Sequence, residues 1–224
     1  SLAKSTASEA EQADLQTALD AAERATGLTQ RLLVFSKQRA SDVRLLELNE
    51  VCENSQKMLS RVLRDDIRLR VAMAPQRLAV RADLAQLEQV LVNLVINAAE
   101  AMPSGGVVEV ATRAESVASG HATLPPGRYF VLSVKDTGMG MSAEQRLRVF
   151  EPFFTTKPHG VGLGLSTSLG IVQRVAGTLT IESEQGVGTV ISVYLPEAKP
   201  ERKLTPAPGA AVMPKSTILI IEDD

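Results

Sequence analysis

Residues 84–102 read LAQLEQVLVNLVINAAEAM. At about 100° per residue, Leu84, Leu87, Leu91, Leu94 and Ala98 fall on one side of a helix, while Asn93, Asn97 and Glu100 fall on the other. Asp83 stands where a cap is needed. Two side-chain amides one turn apart can aim oxygens at a magnesium ion that keeps waters and phosphate oxygens as its other ligands. Asn97 is therefore the candidate metal ligand.

Outward from this helix the pattern is a compact α/β alternation. A strand is expected around Leu46, then a helix capped by Asn49 and lined by Val51, Ser55, Met58 and Val62. Ile67, Leu69 and Val71 alternate as a strand does, Pro75 interrupts, and Leu78 and Val80 resume. Beyond the helix, strands are expected at 107–112 and 129–135. A short helix starts at Ser142, with Gln145 completing a capping box. Residues 150–164 read as a mobile loop. Leu165, Leu169, Val172 and Ala176 mark a further helix, and 179–183 with 189–195 form a hairpin around Gly186 and Gly188.

Asp136 ends a strand and is followed by Thr137, Gly138, Met139 and Gly140. Glycines there let backbone come close to a flat ligand. A fixed carboxylate accepts from the exocyclic amine of adenine and repels the carbonyl oxygen that guanine presents at the same position. Phe150-Glu151-Pro152-Phe153-Phe154-Thr155-Thr156-Lys157 supplies aromatic anchors before a polar loop, and Gly160, Gly162 and Gly164 lead into the next helix. Such a helix start exposes backbone N–H groups to phosphate, and Lys157 adds a positive charge.

Composition narrows the classes. A formal net charge of −2 over 224 residues provides no broad basic field for nucleic acid, and no apolar run approaches a membrane span. The opening SLAKSTASEAEQ lacks the zones of a signal peptide, so a cytoplasmic location is expected, although a longer parent could be membrane-associated. Cys52 is the single cysteine, which excludes an intramolecular disulfide and reads as a small buried apolar residue.

Taken in order, these segments resemble a sensor histidine kinase of the gyrase, heat-shock chaperone, histidine kinase and mismatch-repair ATPase superfamily. Asn93-Leu-Val-Ile-Asn97 matches its N box, Asp136–Gly140 the first glycine box, Phe150–Lys157 the F box, and Gly160-Val-Gly-Leu-Gly-Leu-Ser166 the second glycine box. The resemblance covers about 44–196. It implies a Bergerat-type α/β fold, a two-layer sandwich of mixed β-sheet and helices with a lid over the phosphates, and ATP with Mg2+ as cofactors. It implies Asn97 on magnesium, Asn93 and Lys157 in catalysis near the phosphates, and Asp136 on adenine. Gly138, Gly140, Thr156, Lys157, Gly160, Gly162, Leu163 and Gly164 would lie around the nucleotide. Val161 replaces a frequent threonine, and Ala99 sits where a basic residue is common, which shifts that burden to Lys157.

The flanks extend the resemblance. Ala18, Ala21, Ala25, Leu28, Leu32 and Phe35 have the spacing of a coiled-coil seam. Residues 1–43 are therefore expected to be the second helix of a dimerisation and phosphotransfer hairpin, making a homodimer, with the first helix and its H box absent. Residues 197–215 read as a proline-rich linker, and 216–224 as the start of a receiver domain, which suggests a hybrid kinase. A response regulator, or the chain's own receiver, would be the partner.

Three activities compete. In the first, the γ-phosphate passes to a histidine on a dimerisation helix and then to a receiver aspartate. The second is an ATP-hydrolysing relative, and the third a non-catalytic nucleotide-binding or dimerisation module. Hydrolysing members carry a glutamate one turn before the magnesium asparagine, where this chain has Asn93, and an amide is no general base. His121 and His159, the only histidines, have no acidic neighbour. The chain alone is therefore not expected to phosphorylate itself.

Overall fold

The computed structural model describes residues 42–119, 124–157 and 160–198. The coiled-coil segment, the receiver-like stub, most of the linker, His121 and His159 lie outside the described residues.

Strand β1 (Arg44–Glu47) leads into helix α1 (Leu48–Val62), followed by β2 (Ile67–Ala72), β3 (Ala79–Ala82) and helix α2 (Leu84–Glu100). Then come β4 (Gly106–Val117), β5 (Gly127–Asp136), helix α3 (Ala143–Arg148), helix α4 (Gly164–Gln173), β6 (Thr178–Glu184) and β7 (Gly188–Pro196). Five strands form one mixed sheet in the order β2-β4-β5-β7-β6, parallel only between β2 and β4. β1 and β3 form a separate antiparallel pair. The mixed α/β class is as expected.

Alternation decides which sheet face carries the core, because side chains two apart share a face. Val108 and Val110 on β4, Phe130, Leu132 and Val134 on β5, and Ile191, Val193 and Leu195 on β7 join one buried cluster with α1, α2 and α4. On α2 that cluster takes Leu87, Val90, Leu91, Leu94, Val95 and Ala98, a wider arc than the expected stripe. The widening arises because α2 is covered twice, by the sheet and by α4. Asp83 caps α2 as expected, its side chain accepting from the Gln86 N–H at 3.1 Å. Its other oxygen accepts from the Asp42 N–H at 2.8 Å.

Several local expectations are corrected. Asn49 does not cap α1; Glu47 occupies that position without a side-chain cap bond. Asn49 lies one residue inside the helix and bridges outward, donating to the carbonyls of Ala74 (2.9 Å) and Gln76 (3.2 Å) and accepting from the Thr112 hydroxyl (2.7 Å). The buried stripe of α1 includes Leu48, Val51, Cys52, Ser55 and Leu59, whereas Met58 is exposed. The helix is rotated so that Cys52 and Leu59, seven residues apart, meet the core. Burial, followed by the nearby Glu53 charge, pushes the Cys52 thiol up to about 12, so it stays protonated and apolar. Helix α4 stops at Gln173, and Ala176 sits in the turn beyond it with φ +57°. β4 runs to Val117, well past the expected end. After Pro196 the chain is still held, with Glu197 bridging Val80 and the Ala198 N–H donating to Ala79 O at 2.9 Å, so the linker cannot begin at 197.

The Asn49 bridge ties α1 to the β2–β3 connection and to β4. Asn49→Ala removes the donor to two carbonyls and the acceptor of the Thr112 hydroxyl, which keeps the Ala74 N–H, so urea unfolding is expected to show a loss of about 1–3 kcal/mol. Met58→Ala, at an exposed position of the same helix, is expected to stay within about 0.5 kcal/mol.

Candidate functional site

The site lies where the middle and C-terminal half of α2, the end of β5 and the start of α4 meet. Asn97 lies only about 20° around the helix from buried Val90, so the amides flank the core face instead of opposing it. Both are half-buried, and they turn toward α4. Asn93 Nδ2 lies 3.4 Å from both Gly164 O and Ser168 Oγ. A Cβ built on Gly164 would stand 3.6 Å from the Asn97 amide nitrogen, so the first residue of α4 directly faces the candidate metal ligand.

The start of α4 is uncapped by any side chain. Leu163 is the N-cap residue and makes no side-chain cap bond. The first turn closes with the Thr167 N–H donating to Leu163 O at 3.0 Å. The N–H groups of Gly164, Leu165 and Ser166 precede that bond and have no intrahelical carbonyl to meet, which is the arrangement that holds phosphate. Ser168, not singled out in the sequence, is fully buried and donates to Gly164 O at 2.9 Å, fixing the first turn against Asn93. A serine four residues after a helix-opening glycine is a signal for this back-bond.

Asp136 is 6 % exposed at the end of a central strand. Its Oδ1 accepts from the N–H of Gly138 at 2.8 Å and of Thr189 at 3.2 Å. No buried side-chain nitrogen or oxygen among the described residues lacks a partner, so Oδ2, which takes neither bond, keeps some solvent contact and is left to receive an amine. Burial raises the Asp136 carboxyl above the ordinary carboxylate range. The two N–H donors and then the Lys157 charge oppose that rise.

The glycines of the first loop serve the protein's own packing. A Cβ on Gly138 would lie 2.5 Å from Ala101 O, and Gly140, at φ +64°, packs against the Glu184 carbonyl where no side chain fits. The loop is stitched at both ends: the Met139 N–H donates to Ala101 O (3.0 Å), and the Gly186 N–H to Met139 O (2.8 Å). Ser183 extends this stitching, accepting from the Met141 N–H at 2.8 Å and donating to Gly188 O at 3.0 Å. Ser142 and Gln145 form the expected capping box at α3. Close approach to a ligand was the expected reason for these glycines; close approach of α2 and the β6–β7 hairpin is the observed one.

In the F box only Phe150 packs on the core. Phe154 lies under the Arg148 guanidinium at 4.5 Å, and Phe153 is 72 % exposed with φ +67°. The expectation of three aromatic anchors is corrected to one. Phe153 instead pinches the neck of the following loop, its N–H donating to Gly162 O at 2.9 Å. Gly162, at φ +70°, is pressed against the Phe153 and Phe154 backbone, where only glycine fits. Thr156 is exposed, and Gly160 lies beside the Thr155 hydroxyl, its N–H donating to Lys157 O at 3.1 Å. Lys157 does not stand free: its ammonium is ion-paired with the Glu100 carboxylate at the end of α2.

The donor set suits a nucleotide with a divalent cation. No group of three or more His, Cys, Asp or Glu side chains among the described residues could hold a metal alone, so Asn97 would need phosphate oxygens and water to complete a coordination shell.

Because burial makes ionised Asp136 costly, Asp136→Asn should separate stability from binding. The folded carboxyl is raised, so the fold favours its protonated form; that contribution is present at low pH and is lost as pH rises from the unfolded value through the raised folded one. The variant is therefore expected to match the parent in acid and to equal or exceed it in thermal stability at neutral pH. A neutral-pH loss in calorimetric unfolding would contradict this electrostatic account.

With this geometry established, comparison with known proteins places the chain. The profile of the histidine kinase-, DNA gyrase B-, and HSP90-like ATPase family matches residues 82–199, spanning α2 to β7. Sensor kinase CckA of Brucella abortus is 36% identical over 227 residues, covering 94% of this chain and 24% of its own length. Sporulation kinase C of Bacillus subtilis is 35% identical over 167 residues, covering 74% of this chain and 36% of its own. The chain thus spans only about a quarter to a third of these relatives. Among solved structures, a mycobacterial sensor histidine kinase, MprB, superposes with a TM-score of 0.56 at 30% identity, covering 69% of this chain and 97% of that one. The chain belongs to the histidine kinase-, DNA gyrase B-, and HSP90-like ATPase family, as the ATP-binding catalytic domain of a sensor histidine kinase.

Proposed function

We propose that this domain binds ATP with Mg2+ and presents the γ-phosphate to a histidine on a dimerisation helix, for relay to a receiver aspartate. The observation that carries the reading is the juxtaposition of the Asn97 amide with the uncapped start of α4, with Asp136 at the end of β5 tied to the same helix α2 through Gly138 and Met139, which pack on Ala101. One end suits phosphate and metal, the other an exocyclic amine. Magnesium, when bound, would neutralise phosphate charge; the chain's own residues orient and hold the nucleotide.

In this reading Asn97 takes the metal, and the α4 N–H groups, with Leu163 and Gly164, take phosphate. Asn93, held at the α2–α4 contact, lies near the phosphates, and Lys157 reaches them from the loop necked by Phe153 and Gly162. Gly138 and Gly140 shape the floor under the base, and Thr156 and Gly160 lie along the loop. Transfer is favoured over hydrolysis because Asn93 is an amide whose nitrogen faces Gly164 O and Ser168, leaving no general base one turn before Asn97. The parent would act as a cytoplasmic homodimer with a response regulator or its own receiver as partner. No helix among the described residues is long and apolar enough to cross a membrane.

Calorimetric titration tests the reading. ATP and ADP are expected to bind with magnesium, and GTP far more weakly; Asp136→Asn should cost about ten- to a hundredfold in ATP affinity, the worth of a charge-assisted hydrogen bond. Asn97→Ala should weaken magnesium–ATP while leaving adenosine unchanged. Equal binding of ATP and GTP, or an equal loss of ATP and adenosine in Asn97→Ala, would overturn the assignment of roles.

A further inference from the structure

Glu100 lies three residues after Asn97 on α2, and the two residues share the helix side that turns toward the site. Its carboxylate holds the Lys157 ammonium, a contact that spans 57 positions of sequence and joins the loop before α4 to the C-terminal end of α2. Both side chains keep roughly a third or more of their surface in solvent, at 35% for Lys157 and 42% for Glu100, so the pair is reachable by a competing anion. The Lys157 charge is also felt at Asp136, where it helps hold the carboxyl ionised, so the ammonium is within electrostatic reach of the base-binding end as well. A cation thus joins the loop before α4 to the end of α2, already neutralised by a carboxylate one turn from the candidate metal ligand.

We propose that Glu100 is a positioning residue for Lys157 and sets how strongly nucleotide binding depends on a divalent cation. The inference rests on the ATP reading given above. Phosphate must draw Lys157 away from Glu100, and that exchange leaves an unneutralised carboxylate one turn from Asn97. Without a metal, breaking the pair opposes phosphate binding. With a divalent cation near Asn97, the carboxylate regains a positive neighbour and the ammonium is released to phosphate. Glu100 therefore penalises bare triphosphate and rewards the metal complex without contacting the nucleotide.

The test is calorimetry of ATP in EDTA and in magnesium, with adenosine as the control, for the parent chain, Glu100→Gln, Glu100→Asp, Lys157→Ala and the Glu100→Gln/Lys157→Ala double variant. Glu100→Gln is expected to bind metal-free ATP about two- to fivefold tighter, the range set by partly exposed ion pairs, and to show a magnesium enhancement reduced by at least the same factor. Glu100→Asp should keep the parental magnesium enhancement, adenosine binding should be unchanged in Glu100→Gln and Glu100→Asp, and the gain should vanish in the Lys157→Ala background. An unchanged magnesium enhancement in Glu100→Gln, or a gain that persists without Lys157, would overturn the proposal while leaving ATP binding intact. Failure of the parent to bind ATP would overturn both readings together.

Discussion

The double burial of α2 is the constraint on which the rest depends. A helix covered by the sheet on one side and by α4 on another must be apolar over a broad arc, and it is, from Val90 round to Val95. Two asparagines at the edge of that arc are then pressed half-buried against the first turn of α4. Packing energy of the order of several kcal/mol for each buried leucine therefore positions groups whose own interactions are weak. Asn93 sits at a long 3.4 Å from its partners, so the amides do not hold the helices together; the helices hold the amides.

The same economy runs through the loops. The Asp136 charge is costly to bury, and the N–H groups of Gly138 and Thr189 offset part of that cost at one oxygen while the other takes neither bond. The stitching of Met139 to Ala101 and of Gly186 to Met139 makes the loop after Asp136 continuous with both α2 and the β6–β7 hairpin. The loop before α4 is joined at its neck by Phe153 and Gly162, both in left-handed backbone, and touches α2 through Lys157 and Glu100. One side of the site is built from close backbone contacts, the other from a neck and one ion pair.

Much of this was legible in the sequence because it rests on local rules. The caps at Asp83 and Ser142, the alternation of β2, β5 and β7, and the order of the four boxes follow from periodicity and spacing. Asn49 was misread because a capping residue and a residue bridging to distant carbonyls look alike until β4 brings Thr112 beside it. Gly138 and Gly140 were found for the wrong reason, since sequence shows that a side chain is excluded but not by what. The Glu100–Lys157 pair crosses 57 positions, and only the fold brings its ends together. Phe153 looked like an anchor because hydrophobicity, not backbone conformation, is what a sequence displays.

The central claim is that this domain delivers phosphate to a histidine outside its own ATP site. It is tested most directly by incubating the chain with γ-labelled ATP and magnesium, with and without a separately supplied helix bearing a histidine followed by an acidic residue. The account predicts acid-labile label on the supplied helix and none on the chain alone. Release of free phosphate with no label on the helix, or stable label on His121 or His159, would contradict it.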